Sequence, residues 1–324
     1  MRSDPVVELR DVEKTFTRWR RLGRVRRARD LVRAVEDVTF AINGGEMVGY
    51  VGPNGAGKST TIKMCTGVLV PSAGHVRVCG LEPSRQRVEL ARRIGVVFGQ
   101  RSLLWWDLPL IDSFALLRHL YKVDARRHRE RLGECTALLD MEPFLATPVR
   151  QLSLGQRMRG ELTAALLHDP EVLFLDEPTI GLDVVSKEKV RAFLADLNAR
   201  HATTVVLTTH DLDDIERLCS RLLIIDHGHV IYDGGLDTLR DRFGRQRTLV
   251  VDLVAPSDAI DVPGAEVVRV DGPRQWLRFS RVHTTAAELV SAVAARYPLR
   301  DLALEEPAIE DIVRRIYTDG FVDD

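Results

Sequence analysis

Gly52-Pro53-Asn54-Gly55-Ala56-Gly57-Lys58-Ser59 fits the pattern GxxxxGK[ST]. It lies directly after an apolar run at 47–51 and before a stretch of helical character at 59–70. A phosphate carries several negative oxygens. A glycine-rich turn that points backbone N–H groups inward and opens onto a helix N-terminus holds it without side-chain bulk. Lys58 is expected to reach the β- and γ-phosphates of a nucleotide, and the Ser59 hydroxyl to ligate Mg2+, with Thr60 completing the phosphate cradle.

A second run, Val172-Leu173-Phe174-Leu175, ends in Asp176-Glu177. In a buried parallel strand this pair emerges at the carboxyl edge of the sheet, where ligands sit in open α/β folds. Asp176 is expected to hold the metal's water shell, and Glu177 to polarise or accept a proton from an attacking water.

Working outward, short apolar runs alternate with longer amphipathic stretches through the first 240 residues, as at 46–51 then 59–70, and at 172–175 then 187–200. That alternation indicates an α/β domain over 1–244. Strand signals lapse between about 101 and 165, where Met158, Leu162, Ala165 and Leu166 follow helical spacing, so a helical subdomain is inserted there. After Gly244 a β-rich stretch precedes two helical patterns, the second with Ile309, Ile312, Val313 and Ile316 at i, i+3, i+4 and i+7. Residues 245–324 therefore read as a small α+β domain.

The 324-residue chain has 46 Lys and Arg against 47 Asp and Glu, a formal charge of -1, which argues against a surface that binds nucleic acid as a whole. No run approaches the ~18 apolar residues of a membrane-spanning helix, and the start lacks a secretory apolar core. Cys65, Cys79, Cys135 and Cys219 lie far apart with no CxxC pair, which suggests neither a zinc site nor a disulfide framework. A reducing cytoplasm suits that pattern.

With these residues in place the chain resembles the ATP-binding subunit of an ABC transporter. The likeness runs from about Val7 to Asp233, with five motifs in order. Besides the P-loop and the Asp176-Glu177 pair, Gln100 resembles the Q-loop glutamine and Leu152-Ser153-Leu154-Gly155-Gln156 resembles the signature LSGGQ. Gly181-Leu182-Asp183 resembles the D-loop, and His210 matches the switch histidine. The resemblance implies a RecA-like core with an antiparallel β subdomain and a helical subdomain. It implies ATP and Mg2+ as ligands, with Gln100 joining Ser59 and Asp176 at the metal. His210 would contact the γ-phosphate, while Ser153, Gly155, Gln156 and Asp183 would face the nucleotide of a second copy or close relative. Leu154 departs from the family's glycine, but the serine and last glycine are kept as Ser153 and Gly155. From the residues themselves, Ser153-x-x-Gln156 also reads as a capping box that starts a helix.

Phe16 resembles the family's adenine-stacking aromatic, with Trp19 as its competitor. It lies 36 residues before Gly52, farther than is usual, and an arginine-rich insertion at 17–33 accounts for the excess. Residues 18–33 hold eight arginines and one aspartate, a local charge of +7. Their apolar residues recur every three positions and smear around a helix, so a basic hairpin or irregular arm against anionic lipid is expected, with a solvated loop the alternative. Trp105 and Trp106 form either an aromatic anchor for a partner or part of the helical subdomain's core.

The segment Phe98-Gly99-Gln100-Arg101 with Trp105-Trp106-Asp107-Leu108-Pro109 is similar to a bacterial branch of ABC-2-type ATPases associated mainly with export. The resulting expectation is an ATPase at the cytoplasmic face of the membrane, peripheral to it, that powers export through separate ABC-2-type permease subunits. An import ATPase and a soluble ABC ATPase of ribosomes or DNA are the alternatives. The latter carry two cassettes or a long coiled coil, and neither pattern is present. The C-terminal stretch shows no recognisable chemistry and reads as a dimer-contacting or regulatory domain.

Overall fold

The computed structural model describes residues 4–21, 27–99, 102–243, 246–280, 283–306 and 309–319, so Gln100 lies outside the described residues. Two compact units divide the chain, Met1–Asp233 and Gly234–Asp324.

The core of the first unit is a sheet of order β5-β6-β7-β3-β8-β9. Its strands are β3 Met47–Val51, β5 Ile94–Phe98, β6 Val172–Asp176, β7 Thr204–Thr208, β8 Arg221–Asp226 and β9 His229–Gly235. The pairs β5–β6, β6–β7, β7–β3 and β3–β8 are parallel. Strands covered on both faces are mostly apolar, and β3 and β7 are buried at every position, with Thr204 and Thr208 at the ends of β7 as its polar members. Full burial of one such leucine or valine is worth about 1.5–3 kcal/mol. The register sets Asp176 beside Thr208, and β7 separates β6 from β3. The carboxyl ends of the central strands therefore carry the P-loop, the carboxylate pair and His210 to one edge.

An antiparallel sheet of order β2-β1-β4 stands beside it, from β1 Val7–Arg21, β2 Arg27–Ile42 and β4 Ala73–Val78. The first two strands pair up to Arg21↔Arg27, past the rungs Phe16↔Val32 and Arg18↔Asp30. Residues 18–21 and 27–33 of the basic segment are thus outer rungs of a long antiparallel pair.

Helix α1 spans Lys58–Cys65 and stops well before residue 70, because the chain turns at Gly67 (φ 72°), whose N–H donates to Met64 O. The apolar run that follows is loop, and its hydrophobicity had extended the helical pattern. Helix α2 (Arg87–Leu90) is a single turn, and the helical subdomain is built from α3 (Leu110–Tyr121), α4 (Ala125–Leu138) and α5 (Leu154–Leu166). Helix α6 (Val184–His201) begins three residues before the amphipathic pattern does, because Asp183 caps it, and α7 is Leu212–Leu218.

The second unit contains α8 (Leu236–Phe243) and a four-stranded antiparallel sheet of order β11-β12-β10-β13. The strands are β10 Gln246–Leu253, β11 Ala265–Asp271, β12 Arg274–Ser280 and β13 Leu299–Glu305, with helices α9 Ala286–Ala294 and α10 Ile309–Asp319. One core joins Leu249, Val251, Leu277 and Phe279 of the sheet to Leu289 and Val293 of α9. The edge strand β13 escaped the sequence reading because its side chains beyond Leu299 are exposed and the period-2 signal is weak.

Candidate nucleotide site

A cavity of about 750 Å3 opens at the carboxyl edge of the central sheet, with Gly57, Lys58, Ser59, Asp176, Glu177 and His210 on its wall. Asn54, Gly55 and Thr60 line it as well. Gly57 caps α1 at φ 111°, and a Cβ there would lie 2.5 Å from Ala34 O. At Gly52 a Cβ would lie 2.3 Å from Ile225 O. Both positions demand glycine on geometric grounds before any ligand is considered.

Lys58 Nζ donates to Gly52 O at 2.6 Å and Pro53 O at 3.1 Å, so the cation is folded over the loop. Burial pulls its pKa below the ordinary lysine value, opposed by the negative charges of Glu177 and Asp176. Ser59 Oγ donates to Asp176 Oδ2 at 3.2 Å, and Thr208 Oγ1 donates to Asp176 Oδ1 at 2.6 Å. Thr208 is fully buried and fixes the carboxylate's orientation. It sits in an ordinary strand-like run, and only the Asp176↔Thr208 rung gives it a role.

Glu177 adopts a left-handed backbone, φ 58°, held by its N–H donating to Thr208 O at 3.0 Å. Such a conformation costs a non-glycine residue about 1–2 kcal/mol. The turn brings Glu177 Oε2 to 2.7 Å from His210 Nδ1, where the imidazole is largely exposed and the carboxylate mostly covered.

Behind this pair lies a buried network. Asp214, with no exposed surface, accepts from Arg191 Nε at 2.5 Å and from the Thr179 hydroxyl. Arg191 belongs to α6, Thr179 to the turn after Glu177, and Asp214 to the helix after His210. Nothing in the sequence marks these residues, because their partners are distant along the chain and their types are common in loops.

The signature residues are outside the cavity wall. Ser153 caps α5 in a reciprocal box: Gln156 N–H donates to Ser153 Oγ at 3.2 Å and Ser153 N–H donates to Gln156 Oε1 at 2.9 Å. Asp183 caps α6, accepting from Ser186 N–H at 2.9 Å and Ser186 Oγ at 2.7 Å, and these bonds hold its carboxyl below the usual range. The two helix starts abut: a Cβ on Gly155 would stand 2.5 Å from Ser186 Oγ, and one on Gly181 would stand 3.0 Å from Leu154 Cδ2. Leu154, which replaces the common glycine, thus packs over the turn that carries Asp183.

Phe16 is on β1, part exposed, with Lys14 Nζ 5.4 Å from its ring centroid, and it is not among the cavity-lining residues. The Trp19 side chain and Gln100 lie outside the described parts. Trp105 and Trp106 are 41% and 51% exposed, so they are surface groups rather than core. All four cysteines are buried free thiols. Among the described residues no helix is long and apolar enough to cross a membrane.

The family described as ABC transporter matches residues 35–180. NatA, an ABC transporter ATP-binding protein of Bacillus subtilis (strain 168), is 34% identical over 209 residues, which is 64% of this chain and 85% of that protein. Nod factor export ATP-binding protein I of Sinorhizobium fredii (strain NBRC 101917 / NGR234) is 35% identical over 330 residues, 97% of this chain and 87% of that one. Among solved structures, a dimeric ATP-binding cassette in a post-hydrolysis state with ADP and Pi is similar at a TM-score of 0.60 and 27% identity, covering 71% of this chain and 98% of that one. With the ordered motifs and the geometry of the cavity, these similarities establish that the chain belongs to the ATP-binding subunits of ABC transporters, an ATPase family.

Proposed function

We propose that the chain hydrolyses ATP to power export across the cytoplasmic membrane through separate ABC-2-type membrane-spanning subunits. Two copies, or one copy and a close relative, would hold two nucleotides between them. The observation that carries the reading is the Glu177–His210 pair at the wall of a cavity that Lys58 and Ser59 also line.

Glu177 would take the proton of an attacking water, and His210 would hold the γ-phosphate while keeping Glu177 oriented. Lys58, which shares its charge with loop carbonyls, would exchange them for β- and γ-phosphate oxygens. Ser59 and Asp176 present hard oxygen donors side by side, with Thr208 steadying the carboxylate, and this set fits Mg2+. When bound, the ion supplies charge neutralisation at the phosphates. Gln100 would complete its surroundings. Ser153, Gly155, Gln156 and Asp183 of the second copy would close the site, with the positive end of α5 toward the γ-phosphate. Phe16 would reach the adenine from β1.

Export is supported by the Nod factor relative, and pairing of copies by the dimeric cassette. The exposed Trp105 and Trp106 precede α3, on which Leu116 and Leu120, one turn apart, are also exposed; these apolar groups suit docking of a membrane subunit. The basic outer rungs of the β1–β2 pair suit anionic head groups, and the protein would sit peripherally at the cytoplasmic face.

The test is copurification of the chain with its membrane subunits, followed by reconstitution in vesicles with the ATP-binding subunit outside. ATP-dependent accumulation of a compound inside, abolished by Glu177→Gln, is the expected result. ATP-dependent loss of preloaded compound would instead mark an importer.

A further inference from the structure

Glu161 lies in the middle of α5 at 6% exposure, and its carboxylate is occupied by the segment that follows Gln100. The Ser102 hydroxyl donates to Oε1, and Leu103 N–H donates to Oε2 at 2.9 Å. Leu104 N–H then closes onto Ser102 Oγ at 3.0 Å. At neighbouring Gly160 a Cβ would lie 2.8 Å from Leu110 Cδ1 and 3.1 Å from Leu104 Cδ1, so the segment rests directly on the helix. One turn earlier Arg157 places its guanidinium carbon 5.8 Å from the Trp106 ring centroid. Arg157, Gly160 and Glu161 share a helix face by their i, i+3, i+4 spacing. The same rigid helix is capped by Ser153, about 12 Å along its axis from Glu161. Burial pushes the Glu161 carboxyl above the usual range despite the hydrogen bonds from Ser102 and Leu103. The position therefore holds a group that packing alone disfavours.

We propose that Glu161 is a positioning residue that fastens residues 102–106 to the signature helix. When Ser153 engages a nucleotide on the opposite copy, the movement of α5 is carried through Glu161 to the Trp105–Trp106 surface. This rests on the reading of that surface as a docking site and of Ser153 as a contact to the second copy's nucleotide. It adds the mechanical link between them.

Hydrogen exchange on the full-length protein tests the link, in a Glu177→Gln background that retains ATP, with and without Mg2+ and ATP. In the parent, ATP is expected to slow exchange at residues 102–106 by about tenfold, the effect of one hydrogen bond of ordinary strength. Glu161→Ala is expected to abolish that slowing while ATP affinity stays within about twofold. Glu161→Gln should restore it, since its amide oxygen accepts from Leu103 and its NH2 can donate to Ser102 Oγ. Ser102→Ala approaches the same link from the other side, leaves α5 intact and should weaken the response. An ATP response in Glu161→Ala equal to the parent's overturns the proposal, as does a Gln variant no better than Ala. A parent that binds ATP but shows no response also overturns it, leaving the nucleotide reading intact. A parent that fails to bind ATP overturns the nucleotide reading and the proposal with it.

Discussion

His210 Nδ1 lies 2.7 Å from Glu177 Oε2, although the two residues belong to separate strand ends of the central sheet. The contact depends on the left-handed backbone at Glu177 and on the Glu177 N–H bond to Thr208 O. Glu177→Gln keeps the shape and removes the proton acceptor. Its expected phenotype is normal ATP binding, accumulation of a dimer, and a kcat lower by about 10²–10⁴-fold. Phosphate release and size-exclusion chromatography would measure it, and normal turnover would refute the assignment.

Lys58→Ala is expected to weaken ATP binding by about 1.5–3 kcal/mol, the worth of a charge-assisted hydrogen bond. A pH dependence follows from its lowered pKa. The cation binds phosphate and the neutral amine does not, so in the free protein the binding form is present below the lowered pKa and lost above it. The Kd for ATP should therefore begin to rise below the ordinary lysine value of about 10.4. Fluorescent-nucleotide titrations across alkaline pH decide this, and a Kd that stays constant up to the ordinary value contradicts it.

Asp214→Ala leaves Arg191 buried without its closest partner. Removal of one member of a buried ion pair costs about 3–5 kcal/mol, to be read from urea unfolding. Because Thr179 and the helix after His210 meet at Asp214, kcat should fall even at temperatures where the variant is fully folded.

Gly155→Ala places a methyl 2.5 Å from Ser186 Oγ and displaces a hydroxyl that supports the Asp183 cap. The expected cost is about 1–3 kcal/mol in stability. If Gly155 and Asp183 serve the opposite copy's site, as proposed above, a larger proportional loss should appear in ATPase activity than in ATP affinity. Equal losses in both would argue against that placement.

Replacing the arginines of residues 18–33 by glutamine should abolish co-sedimentation with anionic liposomes, each basic residue near the surface contributing about 1 kcal/mol. Salt should weaken binding of the parent. Unchanged sedimentation of the variant would remove the lipid role.

Much of the site was legible because its chemistry is local. Gly52 to Ser59 must join a strand to a helix in any phosphate cradle, and Ser153 with Gln156 form their capping box within one turn. Strand β5 falls at Ile94–Phe98 as its apolar run indicates, since a doubly covered strand tolerates little else. The C-terminal helical pattern at Ile309, Ile312, Val313 and Ile316 likewise marks the face that is buried.

What the chain alone left open turned on contacts between distant segments. Exposure decided that Trp105 and Trp106 belong to the surface, since an aromatic pair looks alike in either setting. Pairing decided that residues 18–21 and 27–33 continue the β1–β2 ladder, because the three-residue periodicity of the basic segment matches neither a helix face nor a strand. Thr208, Asp214 and Glu161 acquire their roles from sheet register and helix packing, which bring them to partners 32, 35 and 59 residues away. Sequence determined which groups can handle a phosphate, because that needs particular atoms in a short span. Tertiary structure decided which ordinary residues hold those groups still, because a buried carboxylate or hydroxyl gains its meaning only from the donor or acceptor that folding places against it.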